Sequence, residues 1–75
     1  MKRLALSGFR LFVETIGNGA GRAQLFDRDG DVVGIYIKPT PAECIESASS
    51  TLAVRGAHDD ALALRRHWHA IARMS

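Results

Sequence analysis

The chain has 75 residues, a formal net charge of +2, and 47% hydrophobic against 24% charged residues. These proportions exclude a disordered tail or a low-complexity linker, and no apolar run approaches the roughly 20 residues of a membrane-spanning helix. The basic opening lacks the apolar stretch of a secretory signal, and the single cysteine cannot form an internal disulfide. We therefore expect one small domain, residues 1–75, in the cytoplasm.

The first half of the chain alternates apolar and polar side chains, which is the pattern of β-strands. The first strand begins at Phe9, and Gly8 indicates a bulge or a break between this strand and an extension at residues 4–6. A glycine-rich loop at residues 17–21 ends the strand, and a short second strand is predicted at about residues 22–26.

A third strand is predicted at residues 31–38, after the turn Asp27-Arg28-Asp29-Gly30, whose glycine suits the positive φ of a hairpin. The short connections favour an antiparallel meander. Strict alternation assigns one face of the sheet to a core beneath the helices and leaves aromatic residues on the open face. The residues expected in the core are Phe9, Leu11, Val13, Val33, Ile35 and Ile37, and those expected on the open face are Phe12, Val32, Gly34, Tyr36 and either Phe26 or Leu25.

The periodicity becomes helical after Lys38. Thr40 is the expected N-cap, Pro41 the first helical residue and Glu43 the second member of a capping box. Gly56 is expected to end this helix. The apolar stripe of the first helix is Cys44, Ile45, Ala48 and Leu52.

A second helix is expected to begin at Asp59 or Asp60, although one kinked helix fits the same residues. Its apolar stripe is Ala61, Leu64, Trp68 and Ile71. The predicted fold is therefore α+β: a three-stranded antiparallel β-meander followed by two α-helices packed on one face (β-β-β-α-α).

Residues that could bind a metal or a phosphate lack the spacing that such sites need. The turn that begins at Asp27 has neither the glycine nor the glutamate of an EF-hand. His67 and His69 lie about 200° apart on a helix and cannot share a metal, and the pattern Gly17-x-Gly19-x-Gly21 precedes a strand. Cys44 fits a small core residue. No catalytic motif is found, and we expect no enzyme activity, metal, cofactor or small-molecule substrate.

The first candidate site is the open face of the sheet. Phe12, Phe26, Val32 and Tyr36 form an apolar surface that so small a sheet must cover or use. Flanking basic residues would suit single-stranded nucleic acid. Because a chain of this length has little core to offset its conformational entropy, we expect instead a protein interface, most simply with a second copy of the chain.

The second candidate site is the polar face of the last helix. It carries Arg65, Arg66, His69 and Arg73, with the last three at spacings that share one side. Such a face can lie along nucleic-acid phosphates. It can equally be a solvated surface, because arginines are favoured near the carboxyl end of a helix.

Two functions follow from these sites. The first is a non-enzymatic protein-interaction module that forms a homodimer, with a size that would suit a phage or mobile-element accessory protein or an inhibitor of a host complex. The alternative is a small nucleic-acid-binding regulator that uses the basic face of the last helix. The two functions differ in salt dependence, because nucleic-acid affinity falls steeply as salt rises.

Overall fold

A computed structural model describes the backbone of residues 2–74 and the side chains of residues 3–69. Its strands and α-helices are β1 (Lys2–Ala5), β2 (Phe9–Thr15), β3 (Gly21–Asp27), β4 (Val32–Lys38), α1 (Pro41–Val54) and α2 (His58–Met74), and a short 3-10 helix (Gly17–Gly19) connects β2 to β3. The strands form one antiparallel sheet in the order β1-β2-β3-β4. The predicted α+β fold, an antiparallel sheet followed by two helices, is confirmed.

The number of strands differs from the prediction, because residues 2–5 form a strand of their own. The chain reverses at Ser7 and Gly8, and β1 then pairs antiparallel with β2, with Leu4 opposite Leu11. The carboxylate of Asp60 fixes this turn by accepting hydrogen bonds from the Ser7 hydroxyl (2.7 Å) and from the N–H groups of Ser7 (3.1 Å) and Gly8 (3.2 Å). The residue that holds the turn therefore lies on α2, far away in the sequence.

A β-bulge interrupts the alternation of β4. Phe26 pairs with Val32 and Leu25 pairs with Gly34, so Val33 is an extra residue without a partner in β3. One extra residue shifts every following side chain to the opposite face of the sheet. The positions before the shift are as predicted, with Val32 on the open face and Val33 packed against the core.

The predicted faces are wrong for the four residues after the bulge, of which Gly34 lies opposite the core residue Leu25 instead of on the open face. Tyr36 lies opposite Ala23 on the helix side of the sheet, where its hydroxyl is 2.5 Å from the Thr51 hydroxyl of α1. Ile35 and Ile37 lie on the open face instead of in the core. The structure thus removes Tyr36 from the open face and adds two isoleucines to it.

The first helix begins where its sequence predicts. Thr40 has extended backbone angles, and its hydroxyl accepts a hydrogen bond from the Glu43 N–H at 3.3 Å, which satisfies one free donor of the first turn. Pro41 is the first residue of α1. The Thr40 hydroxyl also donates to the Glu43 carboxylate, at 3.2 Å.

Two separate helices are present, and Gly56 separates them. Its φ of +85° favours glycine, and its N–H donates to the Ala53 carbonyl while the Ala57 N–H donates to the Leu52 carbonyl. This pair of hydrogen bonds is the Schellman arrangement that ends a helix. The next helix begins at His58, close to the predicted start.

The core lies between the sheet and the two helices. Its largest fully buried apolar side chains are Leu11, Leu25, Ile45, Leu52 and Leu64. The stripe predicted for α2 is confirmed at Ala61 and Leu64, whereas Trp68 is only partly buried and the side chain of Ile71 lies outside the described residues. Neither described helix has the length and apolar character needed to cross a membrane.

Candidate interaction surface

The sheet register aligns the open-face side chains in rows that cross the strands. The first row is Ala5, Arg10, Phe26 and Val32, the second is Arg3, Phe12, Gln24 and Ile35, and the third is Glu14, Arg22 and Ile37. Arginines therefore lie on β1, β2 and β3, at Arg3, Arg10 and Arg22, and Arg22 forms an ion pair with Glu14. The β4 member of every row is aliphatic: Val32, Ile35 and Ile37.

The aliphatic column of Val32, Ile35 and Ile37 is the most exposed apolar part of the sheet. The exposed fractions of these residues are 55%, 58% and 64%. Both helices pack on the opposite face, and the column therefore remains open to solvent. Fully burying a side chain of this size contributes about 1.5–3 kcal/mol, so covering these residues would release a substantial part of that free energy.

The two aromatic residues of the open face contact each other. The rings of Phe12 and Phe26 are 5.3 Å apart at an interplanar angle of 60°, which is an edge-to-face arrangement. The Arg3 guanidinium lies 5.5 Å from the centre of the Phe12 ring. Bases stack on open, flat ring faces. The rings of Phe12 and Phe26 already contact other side chains, and Tyr36 lies on the other face. The open face is therefore less suited to stacking nucleic-acid bases than the sequence indicated.

The structure brings together three of the four open-face residues predicted from the sequence. Phe12, Phe26 and Val32 share the face, and Tyr36 does not. The sequence reasoning missed Ile35 and Ile37. A signal for the error existed in Gly34, because an isolated glycine within a strand indicates a bulge, and a bulge reverses the faces beyond it.

The basic residues of α2 are less uniform than their spacing indicates. Arg65 forms an ion pair with Glu46 of α1 at 3.2 Å, which offsets one positive charge of the face. Arg66 and His69 are exposed. The side chain of Arg73 lies outside the described residues. The described part of this surface thus contains fewer free cationic groups than expected.

The aspartates between β3 and β4 form the predicted hairpin turn. The Asp27 carboxylate accepts hydrogen bonds from the N–H groups of Asp29 and Asp31, both at 2.9 Å, and Gly30 has a φ of +88°. Oxygen atoms of the three carboxylates lie within 4.8 Å of one another. The backbone hydrogen bonds to Asp27 explain this proximity, because Asp side chains stabilise turns in this way. The expectation of no bound metal stays a prediction.

The single thiol belongs to the core. Cys44 is fully buried, and its Sγ lies 3.6 Å from the Tyr36 carbonyl, to which the thiol donates. Burial raises the pKa of the Cys44 thiol, although the nearby backbone and the Lys38 charge act in the opposite direction. A protonated, buried thiol is a poor nucleophile, and Cys44 therefore has the packing role expected from its position on α1.

Asp60 has a buried charged side chain, although its sequence position predicted only the start of a helix. Burial alone would raise the pKa of Asp60, but hydrogen bonds from the Ser7 hydroxyl and from the N–H groups of Ser7 and Gly8 outweigh burial and lower it. All three bonds go to the turn between β1 and β2. The carboxylate thus ties α2 to the sheet and has a structural role.

Comparison with known proteins finds no matching family model, no matching curated protein and no matching solved structure. The function of the chain must therefore be inferred from its own surfaces.

Proposed function

We propose that the protein is a non-enzymatic interaction module of the cytoplasm that acts as a homodimer, with the aliphatic part of its open sheet face buried against a second copy. The observation that carries this proposal is the column of Val32, Ile35 and Ile37, each more than half exposed on the face opposite the helices. An apolar surface of this kind marks an interaction site more often than a solvated face.

The energetics support a dimer but indicate that the column is not its entire interface. Burying the remaining half of each side chain contributes about 1 kcal/mol, so the six side chains of two copies contribute about 6 kcal/mol. Association of two proteins costs at least about 4 kcal/mol in translational and rotational freedom. The column therefore leaves little surplus, and neighbouring contacts must add to it.

Self-association would also relieve the weakness of so short a chain. A 75-residue domain gains a stability of only a few kcal/mol from its own core. Binding a second folded copy stabilises the native state by mass action. We also retain as a proposal the wider role expected from the sequence, an accessory protein of a phage or mobile element or an inhibitor of a host complex.

Sedimentation velocity at micromolar concentration tests the homodimer. The wild type is expected to sediment with twice the chain mass of 8.2 kDa. Ile35→Lys, which puts a charge into the aliphatic column, is expected to sediment as a single chain. Leu62→Lys is the matched control, because Leu62 is 51% exposed on α2 and away from the sheet, and this variant should remain dimeric. A monomeric wild type would refute the proposal.

A second candidate function is nucleic-acid binding, which the exposed side chains of Arg66 and His69 on α2 favour. Fluorescence anisotropy with labelled duplex DNA at several salt concentrations tests it. Each phosphate contact contributes about 0.9 to the slope of log affinity against log salt, so Arg66→Ala should reduce that slope by about this amount. Arg28→Ala, in the acidic turn, should not change it. Absence of wild-type binding at low salt removes this candidate.

A further inference from the structure

We propose that the second copy pairs along the free edge of β4. The two sheets would then join into one eight-stranded antiparallel sheet, and the two α1 helices would pack side by side above the junction. This inference rests on the proposed function, which requires a homodimer, and it specifies how the two copies meet.

The two edges of the sheet differ in their protection against pairing. β1 has four residues and begins with Lys2 and Arg3, and short, positively charged edge strands resist pairing. β4 has seven residues and no charge from Val32 to Ile37. Its bulge lies near its start, at Val33, so the remaining residues form a regular strand. β4 is therefore the edge that is suited to pair with another strand.

One flank of α1 faces outward above the β4 edge. The helix packs over β3 and β4, and the Tyr36 hydroxyl of β4 bonds to Thr51. α2 lies on the other flank of α1, where Arg65 bonds to Glu46. Ser47 is only about 40° around the helix from Thr51 and about 100° from Glu46. Ser47 therefore lies on the flank above β4, at the middle of α1.

The spacing of the layers permits the two α1 helices to pack together. Because α1 lies mainly over β3 and β4, an axis midway between these two strands would be about one strand spacing, near 4.8 Å, from the junction between two paired β4 strands. The two helix axes would then be about 9–10 Å apart, which is an ordinary packing distance. The flank carries the small side chains of Ser47 and Thr51 and, near its end, Val54, which is 88% exposed.

The same pairing brings the aliphatic columns of the two copies together on the opposite face, where each column buries the flank that faces the junction. We consider antiparallel pairing in which the helices of both copies lie on the same side of the sheet. The isoleucines Ile35 and Ile37 of one copy are then cross-strand neighbours of the isoleucines of the second copy. The edge is about 24 Å long at about 3.4 Å per residue. The helix layer above the edge adds to the surface that each copy buries, as the roughly 1,000 Å² of a specific interface requires.

Two single variants distinguish edge pairing from stacking of the two open faces. Ser47→Arg puts a long charged side chain on the α1 flank that faces the second copy, on the opposite side of the sheet from the open face. Gln24→Lys puts a charge in the middle of the open face, between Phe12 and Ile35, and one strand away from the β4 edge. Circular dichroism shows whether each variant is folded.

Sedimentation velocity is expected to show a dimeric wild type, a dimeric Gln24→Lys variant and a dissociation constant at least tenfold weaker for Ser47→Arg. A Ser47→Arg dimer as tight as the wild type would overturn edge pairing. Loss of the dimer in Gln24→Lys would also overturn it, while the proposed homodimer would stand. A monomeric wild type would overturn both proposals.

A crosslinking experiment keeps edge pairing testable if Ser47→Arg does not fold. Helix axes about 9–10 Å apart bring the nearest Cα atoms to about 5 Å, because Cα atoms lie about 2.3 Å from each axis, and this distance suits a disulfide. Ser47→Cys is therefore expected to form a covalent dimer under mild oxidation, whereas the wild type, whose Cys44 is buried, is not. Absence of the crosslink in a dimeric Ser47→Cys variant would overturn edge pairing.

Discussion

Replacing Gly21 by alanine should destabilise the fold, because this buried residue at the start of β3 lies against the beginning of α1. A Cβ atom at Gly21 would lie 2.5 Å from the Pro41 Cα, 2.6 Å from the Pro41 nitrogen and 2.9 Å from the Thr40 carbonyl carbon. All three are backbone atoms, so no side chain can rotate away. The helix start that Thr40 and Pro41 define would have to move by about 1 Å, since carbon atoms pack at about 3.5–4.0 Å.

The expected loss is about 2 kcal/mol. Overpacking of a filled site costs about 1–3 kcal/mol, and the lower entropy of the unfolded alanine chain offsets less than about 1 kcal/mol of it. For a chain of this length that loss lowers the melting temperature by about 8–16 °C. Urea unfolding followed by circular dichroism measures the loss of free energy directly.

Gly17→Ala is the matched control for this prediction. Gly17 lies in the connection between β2 and β3, shortly before Gly21; a Cβ atom built on Gly17 would have no atom within 4 Å, and its φ is not positive. Its replacement should therefore leave the free energy of unfolding unchanged to within about 0.5 kcal/mol, as at most surface sites. Equal stability of Gly21→Ala and Gly17→Ala would refute the close approach of β3 to the start of α1.

Three further predictions concern buried polar groups. Asp60→Asn should cost about 1.5–3 kcal/mol at neutral pH, because its hydrogen bonds involve a charged acceptor, whereas the exposed neighbour Asp59→Asn should cost little. Because folding lowers the pKa of Asp60, the stability that its carboxylate contributes is complete above the ordinary pKa of about 3.9 and is lost as the pH falls below that value. The urea midpoint of the wild type should therefore decline more steeply with acid than that of Asp60→Asn, and an equal decline would contradict this. Ser49→Ala should raise the melting temperature slightly or leave it unchanged, since the buried Ser49 hydroxyl has no hydrogen-bond partner among the described residues; a loss above about 1 kcal/mol would show a missing partner. Tyr36→Phe should cost about 1 kcal/mol through the bond to Thr51, and a double-mutant cycle with Thr51→Val should show coupling between the two hydroxyls.

The features that the sequence predicted correctly depend on neighbouring residues. The start of α1 follows from Thr40 and Pro41, and its end follows from Gly56, because capping and positive φ are local properties. The alternation of Leu11 and Val13 likewise identifies the buried face of β2, since no irregularity interrupts that strand.

The features that the sequence did not predict depend on distant residues or on one extra residue. The turn that separates β1 from β2 is held by Asp60, on an element at the other end of the chain. The bulge at Val33 leaves no trace in the apolar pattern of β4, because both faces of that strand are apolar. The candidate site was consequently predicted at Phe12, Phe26, Val32 and Tyr36, of which Tyr36 lies on the other face, while Ile35 and Ile37 were assigned to the core.

Amide hydrogen exchange along β4 tests the central claim most directly. In a monomer, alternate N–H groups of an edge strand bond to the neighbouring strand and the others point to solvent. If a second copy pairs with β4, every amide from Gly34 to Lys38 should exchange slowly at concentrations where the chain is dimeric, and alternate amides should become fast on dilution. Fast exchange at alternate β4 positions in a sample that sediments as a dimer would contradict edge pairing.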